Sequence, residues 1–242
     1  MKVIIAEDYD ELSKIAAQLI KEELDVKPAL NLGLATGGTP LGTYKELIRL
    51  NKEGEIDFSQ VKTFNLDEYV GLDSKHPSSY SYYMESILFR HINIKEENTH
   101  IPKGNTKNLE EECKAYDSYI ERAGGIDLQI LGIGSNGHIA FNEPADQQSL
   151  GTTIVNLTPS TIKDNSRFFE RIEEVPTSAI SMGIGSILKA RKLLLLISGK
   201  SKREITKRLL ELDYVTGQLP ASFLLLHQDL TLIVDRDALG EN

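Results

Sequence analysis

Short apolar runs, each halted by glycine or a polar turn and followed by residues spaced for a helix, recur through this chain. No other feature constrains its fold as much. Residues 3–6 read as a strand, and Asp8 with Glu11 has capping-box spacing ahead of a helix whose apolar residues include Leu12, Ile15, Ala16, Leu19 and Ile20. Further strands are expected at 29–35, 61–66, 126–131, 152–157, 192–197, 223–226 and 230–235. Helices are expected from Leu41 onward, with Tyr44, Leu47 and Ile48 on the inward stripe, and at 79–92, 109–123, 158–169 and 178–190. This alternation predicts an α/β fold with a doubly wound, mainly parallel sheet covered by helices on both faces, Rossmann-like in outline. No repeat, low-complexity tract or linker interrupts it, so residues 1–242 are read as a single domain.

The junction after residues 126–131 concentrates chemistry. The run is apolar enough for a strand buried on both faces of a parallel sheet. It opens into Gly132-Ile133-Gly134-Ser135-Asn136-Gly137-His138, and Glu143 follows. An amide, an imidazole and a carboxylate thus share one loop at a strand's carboxyl end, where open α/β sheets bind ligands. Glycine lets backbone approach a ligand closely, and histidine is the side chain suited to moving protons near neutral pH. Taken alone, the stretch reads equally well as a glycine-rich turn with a surface histidine.

Two further turns belong to the same end of the sheet. Thr36-Gly37-Gly38-Thr39-Pro40 joins a strand to a helix start, a natural anion site because N–H groups and the helix dipole both favour negative charge. It lacks the Gly-Lys-Ser/Thr of a nucleotide P-loop and the three glycines of a dinucleotide fingerprint. Asp67 and Glu68 stand where the strand at 61–66 ends, either as turn residues or as a carboxylate facing the crevice. The aromatic residues of 79–92 are assigned to the core.

Composition sets limits. The chain has 242 residues, 40% of them hydrophobic and 26% charged, with a net charge of -9 and scattered lysines and arginines. Phosphate backbones need a basic face, so nucleic acid is not the expected partner. The lone Cys113 excludes an internal disulfide and a cysteine-based zinc cluster. No window approaches the roughly 20 apolar residues of a membrane span, and the first residues lack a signal-peptide core. A cytoplasmic location is expected.

Three blocks together resemble one family: Leu34-Ala35-Thr36-Gly37-Gly38-Thr39-Pro40, Asn65-Leu66-Asp67-Glu68-Tyr69-Val70-Gly71-Leu72, and Gly137-His138-Ile139-Ala140-Phe141-Asn142-Glu143-Pro144. They are similar to glucosamine-6-phosphate deaminases, and Asn165 to Phe169 and the Ser198 to Lys202 turn fit the same pattern. The resemblance implies conversion of glucosamine 6-phosphate to fructose 6-phosphate and ammonia, with no cofactor and no metal. It assigns His138 to opening the sugar ring, Asp67 to removing the C2 proton, and Glu143 with Asn136 to holding the imidazole. It assigns Gly37, Gly38, Thr39, Arg167 and Lys202 to the substrate phosphate, with Lys200 outside the matched position.

The chain departs from many family members at Asn136, where they carry aspartate. An amide orients His138 but adds no charge, so activity is expected to survive with an altered pH profile. Residues 145–155 contain no Arg or Lys, and the chain ends soon after Asp235, whereas members activated by N-acetylglucosamine 6-phosphate are basic there and longer. That activation is therefore not expected, and a monomer or small homo-oligomer is. Residues 145–175 have the polarity of a mobile cover. The competing readings are a 6-phosphogluconolactonase-like hydrolase, which would have no use for a base at C2, and a sugar-phosphate sensor that binds without turnover.

Overall fold

The computed structural model describes residues 1–166 and 169–241. Its centre is a seven-stranded sheet in the order β1-β10-β9-β6-β2-β3-β5, with parallel pairing between neighbours. The strands are β1 (Lys2–Ala6), β2 (Asn31–Leu34), β3 (Lys62–Asn65), β5 (Thr99–His100), β6 (Leu128–Gly132), β9 (Lys192–Ile197) and β10 (Leu230–Asp235).

Burial explains why such apolar runs form strands here. Along β9, Leu193, Leu195 and Ile197 enter one core while Leu194 and Leu196 enter the other, and all are 1% exposed. A strand sandwiched in this way needs apolar residues at every position instead of alternation. Three helices cover one face: α1 (Tyr9–Val26), α2 (Leu41–Lys52) and α3 (Tyr80–Ile87), through residues such as Leu12, Ile20, Leu47 and Met84. The other is covered by α4 (Leu109–Arg122), α6 (Ile184–Leu188), α7 (Arg203–Glu211) and α8 (Arg236–Leu239), through residues such as Ile120, Ile187 and Leu209. The doubly wound expectation holds, and no described helix is long and apolar enough to cross a membrane.

A second sheet departs from the sequence reading. Strands β4 (Asp67–Tyr69), β8 (Ser178–Ser181) and β7 (Thr153–Asn156) form an antiparallel sheet in the order β4-β8-β7. The helix expected at 178–190 is therefore a strand followed by the short α6. Its first residues, Ser-Ala-Ile-Ser, pair on both edges, and tertiary pairing overrides a helical spacing this short. The strand expected at 223–226 is instead part of a 3₁₀ turn over Pro220–Leu226, where Leu226 is exposed and Leu224 buried. The helix expected at 158–169 is α5 (Pro159–Asn165), capped by Thr158.

Helix starts are built as their sequences imply. Asp8 accepts from Glu11 N–H at 2.8 Å at the head of α1. Glu11 completes the box one residue early, accepting from Glu7 N–H instead of the cap's own.

At the amino-terminal ends of β2 and β6, the buried Asp127 fastens several elements. It accepts from Lys27 Nζ at 2.6 Å and Asn31 N–H at 2.8 Å, and it also pairs with Arg191. Burial alone would raise its carboxyl, but these partners hold it below the usual carboxylate range. A carboxyl depressed in the folded state contributes stability above its unfolded value, and that contribution is lost as pH falls through the folded value. Asp127→Asn is expected to lower the unfolding free energy by about 2 kcal/mol near neutral pH. Urea titrations should show the deficit shrinking below about pH 4, where the unfolded chain's carboxylate begins to protonate, and closing as pH falls through the lower native value.

Candidate active site

Strand order reverses between β2 and β6. From β2 the chain proceeds outward to β3 and β5, and from β6 it proceeds the other way to β9 and β10. The turns leaving adjacent parallel strands therefore diverge and open a crevice at their carboxyl ends. A cavity of about 220 Å³ lies there, sized for one small ligand. Its walls include Gly37, Gly38 and Thr39 after β2, Asp67 and Tyr69 on β4, His138 after β6, and Lys202 ahead of α7.

Asp67 occupies the joint between the two sheets. The chain leaves the large sheet at Asn65 and enters the small one at Asp67, which pairs with Ser181 of β8. Alternation along β4 turns Asp67 and Tyr69 toward the cavity and Glu68 away from it. Glu68 accepts from the N–H groups of Tyr69, Tyr80 and Ser81, each at 2.9 Å, and so docks the start of α3 against β4. Burial, with the neighbouring Glu68 charge, pushes the Asp67 carboxyl up to about 8.

The His138 loop closes on itself. Gly134 N–H donates to His138 O at 2.9 Å and Gly137 N–H to Gly134 O at 3.0 Å. Gly134 is required for space, because a Cβ there would lie 2.2 Å from His138 Cε1. Beyond the histidine, Ala140 takes a φ of 52°, a left-handed conformation that an L side chain rarely adopts. The small sheet clamps this bend: Ser181 Oγ accepts from Phe141 N–H at 3.1 Å, and Asn142 Nδ2 donates to Met182 O at 2.8 Å.

The imidazole is oriented by a relay. Asn136 Nδ2 donates to Glu143 Oε2 at 2.8 Å, and Asn136 Oδ1 lies 2.8 Å from His138 Nδ1. An ionised carboxylate only accepts, so it fixes which way the amide faces, and the amide oxygen then requires a proton on Nδ1. Neutral His138 thus keeps Nε2 as its accepting nitrogen for the cavity. The carboxylate itself is 3.6 Å from Nδ1, so within the group that the sequence reading joined, Asn136 stands between Glu143 and His138. Burial raises Glu143, but the nearby His138 imidazole and the hydrogen bonds from Thr161 and Asn136 outweigh it and hold the carboxyl at about 2.

Thr158 and Thr161, at the head of α5, both donate hydroxyls to Glu143 Oε1. They were not legible as site residues, because a Thr-x-x-Thr spacing at a helix start reads as capping. Tyr80 and Tyr83 also correct the sequence reading. They line the cavity, and Tyr80 stacks with Phe141 at 6.1 Å between ring centroids. Lys202 Nζ donates to Ile133 O at 2.7 Å beside the cavity. Lys200 lies 69% exposed, 4.0 Å from Asp237. Arg167 falls outside the described residues. The described residues include no cluster of His, Cys, Asp and Glu that could hold a metal ion.

Residues 6–233 match the family model of glucosamine-6-phosphate isomerases/6-phosphogluconolactonase. The chain is 56% identical over 238 residues to a glucosamine-6-phosphate deaminase of Thermoanaerobacter sp. (strain X514), covering 98% of this chain and 94% of that one. It is 52% identical over 238 residues to the enzyme of the same name from Clostridium perfringens (strain 13 / Type A), covering 98% of each. Among solved structures, a monomeric glucosamine-6-phosphate deaminase of the NagB superfamily superposes with a TM-score of 0.96 at 46% identity over 100% of both chains. The chain belongs to the glucosamine-6-phosphate isomerase/6-phosphogluconolactonase family.

Proposed function

We propose that the protein is a glucosamine-6-phosphate deaminase, isomerising and deaminating glucosamine 6-phosphate to fructose 6-phosphate and ammonia. The observation that carries this reading is Asp67, a buried carboxyl raised to about 8, sharing one cavity with an oriented imidazole and a glycine turn. A general base works best with a proton affinity near the operating pH, and carboxylates reach that range only in such surroundings. A lactonase has no proton to remove from C2, and a sensor needs no tuned base. The deaminases to which the chain is similar over nearly its full length support the same choice.

In this reading the phosphate sits on the turn at Gly37, Gly38 and Thr39, with Lys202 and Arg167 supplying positive charge. His138 Nε2 takes the proton of the anomeric hydroxyl and passes it to the ring oxygen, which opens the sugar to its aldehyde. Glu143, through Asn136, steadies the imidazolium formed in between. Asp67 then removes the acidic C2 proton while the C2 ammonium group gives a proton to O1, which leaves a neutral enolamine, and Asp67 returns its proton to C1. Water adds at C2 and ammonia leaves, so the products balance as ketose phosphate and ammonia with no oxidant or cofactor. We read residues 145–175 as a cover over this cavity, supported by Asp164 and Asn165 among its walls. We also read the protein as a cytoplasmic monomer or small homo-oligomer, since a phosphorylated sugar does not cross membranes unaided and a similar structure is described as monomeric.

Incubation with glucosamine 6-phosphate should release ammonia and fructose 6-phosphate in equal amounts, while hydrolysis of 6-phosphogluconolactone instead would reject the assignment. Asp67→Asn is expected to reduce kcat by about 10²–10⁴-fold while leaving competition by inorganic phosphate intact.

The base must be ionised to act, so kcat/KM should climb with pH through about 8. Glu68→Gln removes a neighbouring negative charge that helps raise Asp67, and a pH–rate profile of this variant should show the climb displaced to lower pH.

Residues 145–155 carry no Arg or Lys to receive an anionic effector. Initial rates should therefore follow a hyperbola in substrate that N-acetylglucosamine 6-phosphate does not steepen or activate.

A further inference from the structure

The glycine turn after β2 is not held by packing. An added Cβ at Gly37 or Gly38 would meet nothing within 4 Å, and Gly37 adopts a φ of +95°. Two adjacent glycines in open space would ordinarily sample many conformations. The one backbone bond that the turn's peptides accept is long, from Leu41 N–H to Gly38 O at 3.4 Å. Such a turn binds an anion well only if something else holds it still.

Two tyrosine hydroxyls from separate helices do so. Tyr83, on α3, donates to Gly37 O at 2.7 Å. Tyr9, at the start of α1, lies 3.1 Å from both Gly38 O and Thr39 O, and it accepts from Gly42 N–H at 2.7 Å. In a trans peptide the carbonyl and the following N–H point in opposite directions. Fixing Gly37 O therefore fixes the direction of Gly38 N–H, and fixing Gly38 O does the same for Thr39 N–H. Among the described residues, the N–H groups of Gly37, Gly38 and Thr39 donate to no protein acceptor. Peptide N–H groups are obligatory donors, so a row left unpaired at a cavity wall is shaped for an anionic ligand. The peptide after Thr39 leads into Pro40 and has no N–H to aim.

We propose that Tyr83 and Tyr9 are positioning residues for phosphate: their hydroxyls lock the two peptide planes that present Gly38 and Thr39 N–H to the substrate's dianion. The inference rests on reading this turn as the phosphate site. It also explains why the aromatic residues of α3 reach the cavity: the ring of Tyr83 fills its wall while its hydroxyl braces the turn. Burial raises the Tyr83 hydroxyl well above the neutral range, so it remains a donor across the working pH.

Tyr83→Phe and Tyr9→Phe remove one hydroxyl each and keep the ring. Each is expected to raise KM for glucosamine 6-phosphate, and Ki for inorganic phosphate in parallel, by about five- to tenfold. The loss should fall on KM instead of kcat, with the pH profile unmoved, which a general loosening of the fold would not produce. The double variant should exceed either single one. If one variant fails to fold in a thermal melt, the other tests its own peptide plane independently. Unchanged KM and Ki in folded variants, or a fall confined to kcat, would overturn the proposal. Failure of inorganic phosphate to compete in the unsubstituted protein would instead remove the phosphate turn itself, and the proposal with it.

Discussion

Everything functional in this molecule depends on the parallel pairing of β2 with β6, registered through Leu32 with Leu128 and Gly33 with Gln129. The two strands end side by side, yet their connections run toward opposite edges of the sheet. Turns that must diverge leave a gap between them, and the turn after β2 presents the N–H groups of Gly37, Gly38 and Thr39 to it. Gly33 shows how close this pairing is, since a Cβ there would lie 2.0 Å from the Gln129 side chain. The cavity is thus a consequence of connectivity before any side chain contributes to it.

The second sheet turns that gap into a reactive site. It carries Asp67 into a buried position at the joint, where desolvation raises its proton affinity, and its middle strand clamps the bend after His138. The two carboxylates of the site are driven in opposite directions by their surroundings. Asp67 has burial and a like charge and is raised, whereas Glu143 is surrounded by donors and stays ionised. A carboxyl that can take up a proton and one that stays ionised are what the proposed transfer of a proton from C2 to C1 would need.

The inner strands of the large sheet were legible because they are buried on both faces, and such strands are written as unbroken apolar runs; the edge strand β5, two half-buried residues at Thr99–His100, was not expected. β9, with its consecutive leucines, is the clearest case. The small sheet was not legible, since β4 and β8 are short and polar at the ends, and their pairing is entirely between distant segments. Ser178–Ser181 has no periodicity that separates a strand from the first turn of a helix. Phe223–Leu226 misled in the other direction: a short apolar run bounded by turns reads as a strand, but here one leucine faces solvent. Within the site, Asp67, Asn136, His138 and Glu143 stood out by residue type and motif. Thr158, Thr161, Tyr9 and Tyr83 did not, because nothing in their local sequence distinguishes a brace from a cap or a core aromatic.

The sequence by itself determined the class of fold, the end of the sheet where chemistry would gather, and the residue types available for it, because these follow from local periodicity and turn composition. Only the tertiary structure decided the order of the relay, with Asn136 between Glu143 and His138, the proton affinity of Asp67, and the bracing of the glycine turn by two helices. Each of these depends on distances and burial between segments far apart in the chain. Solvent exclusion and hydrogen-bond partners come into being only when those segments pack, so no local pattern can encode them.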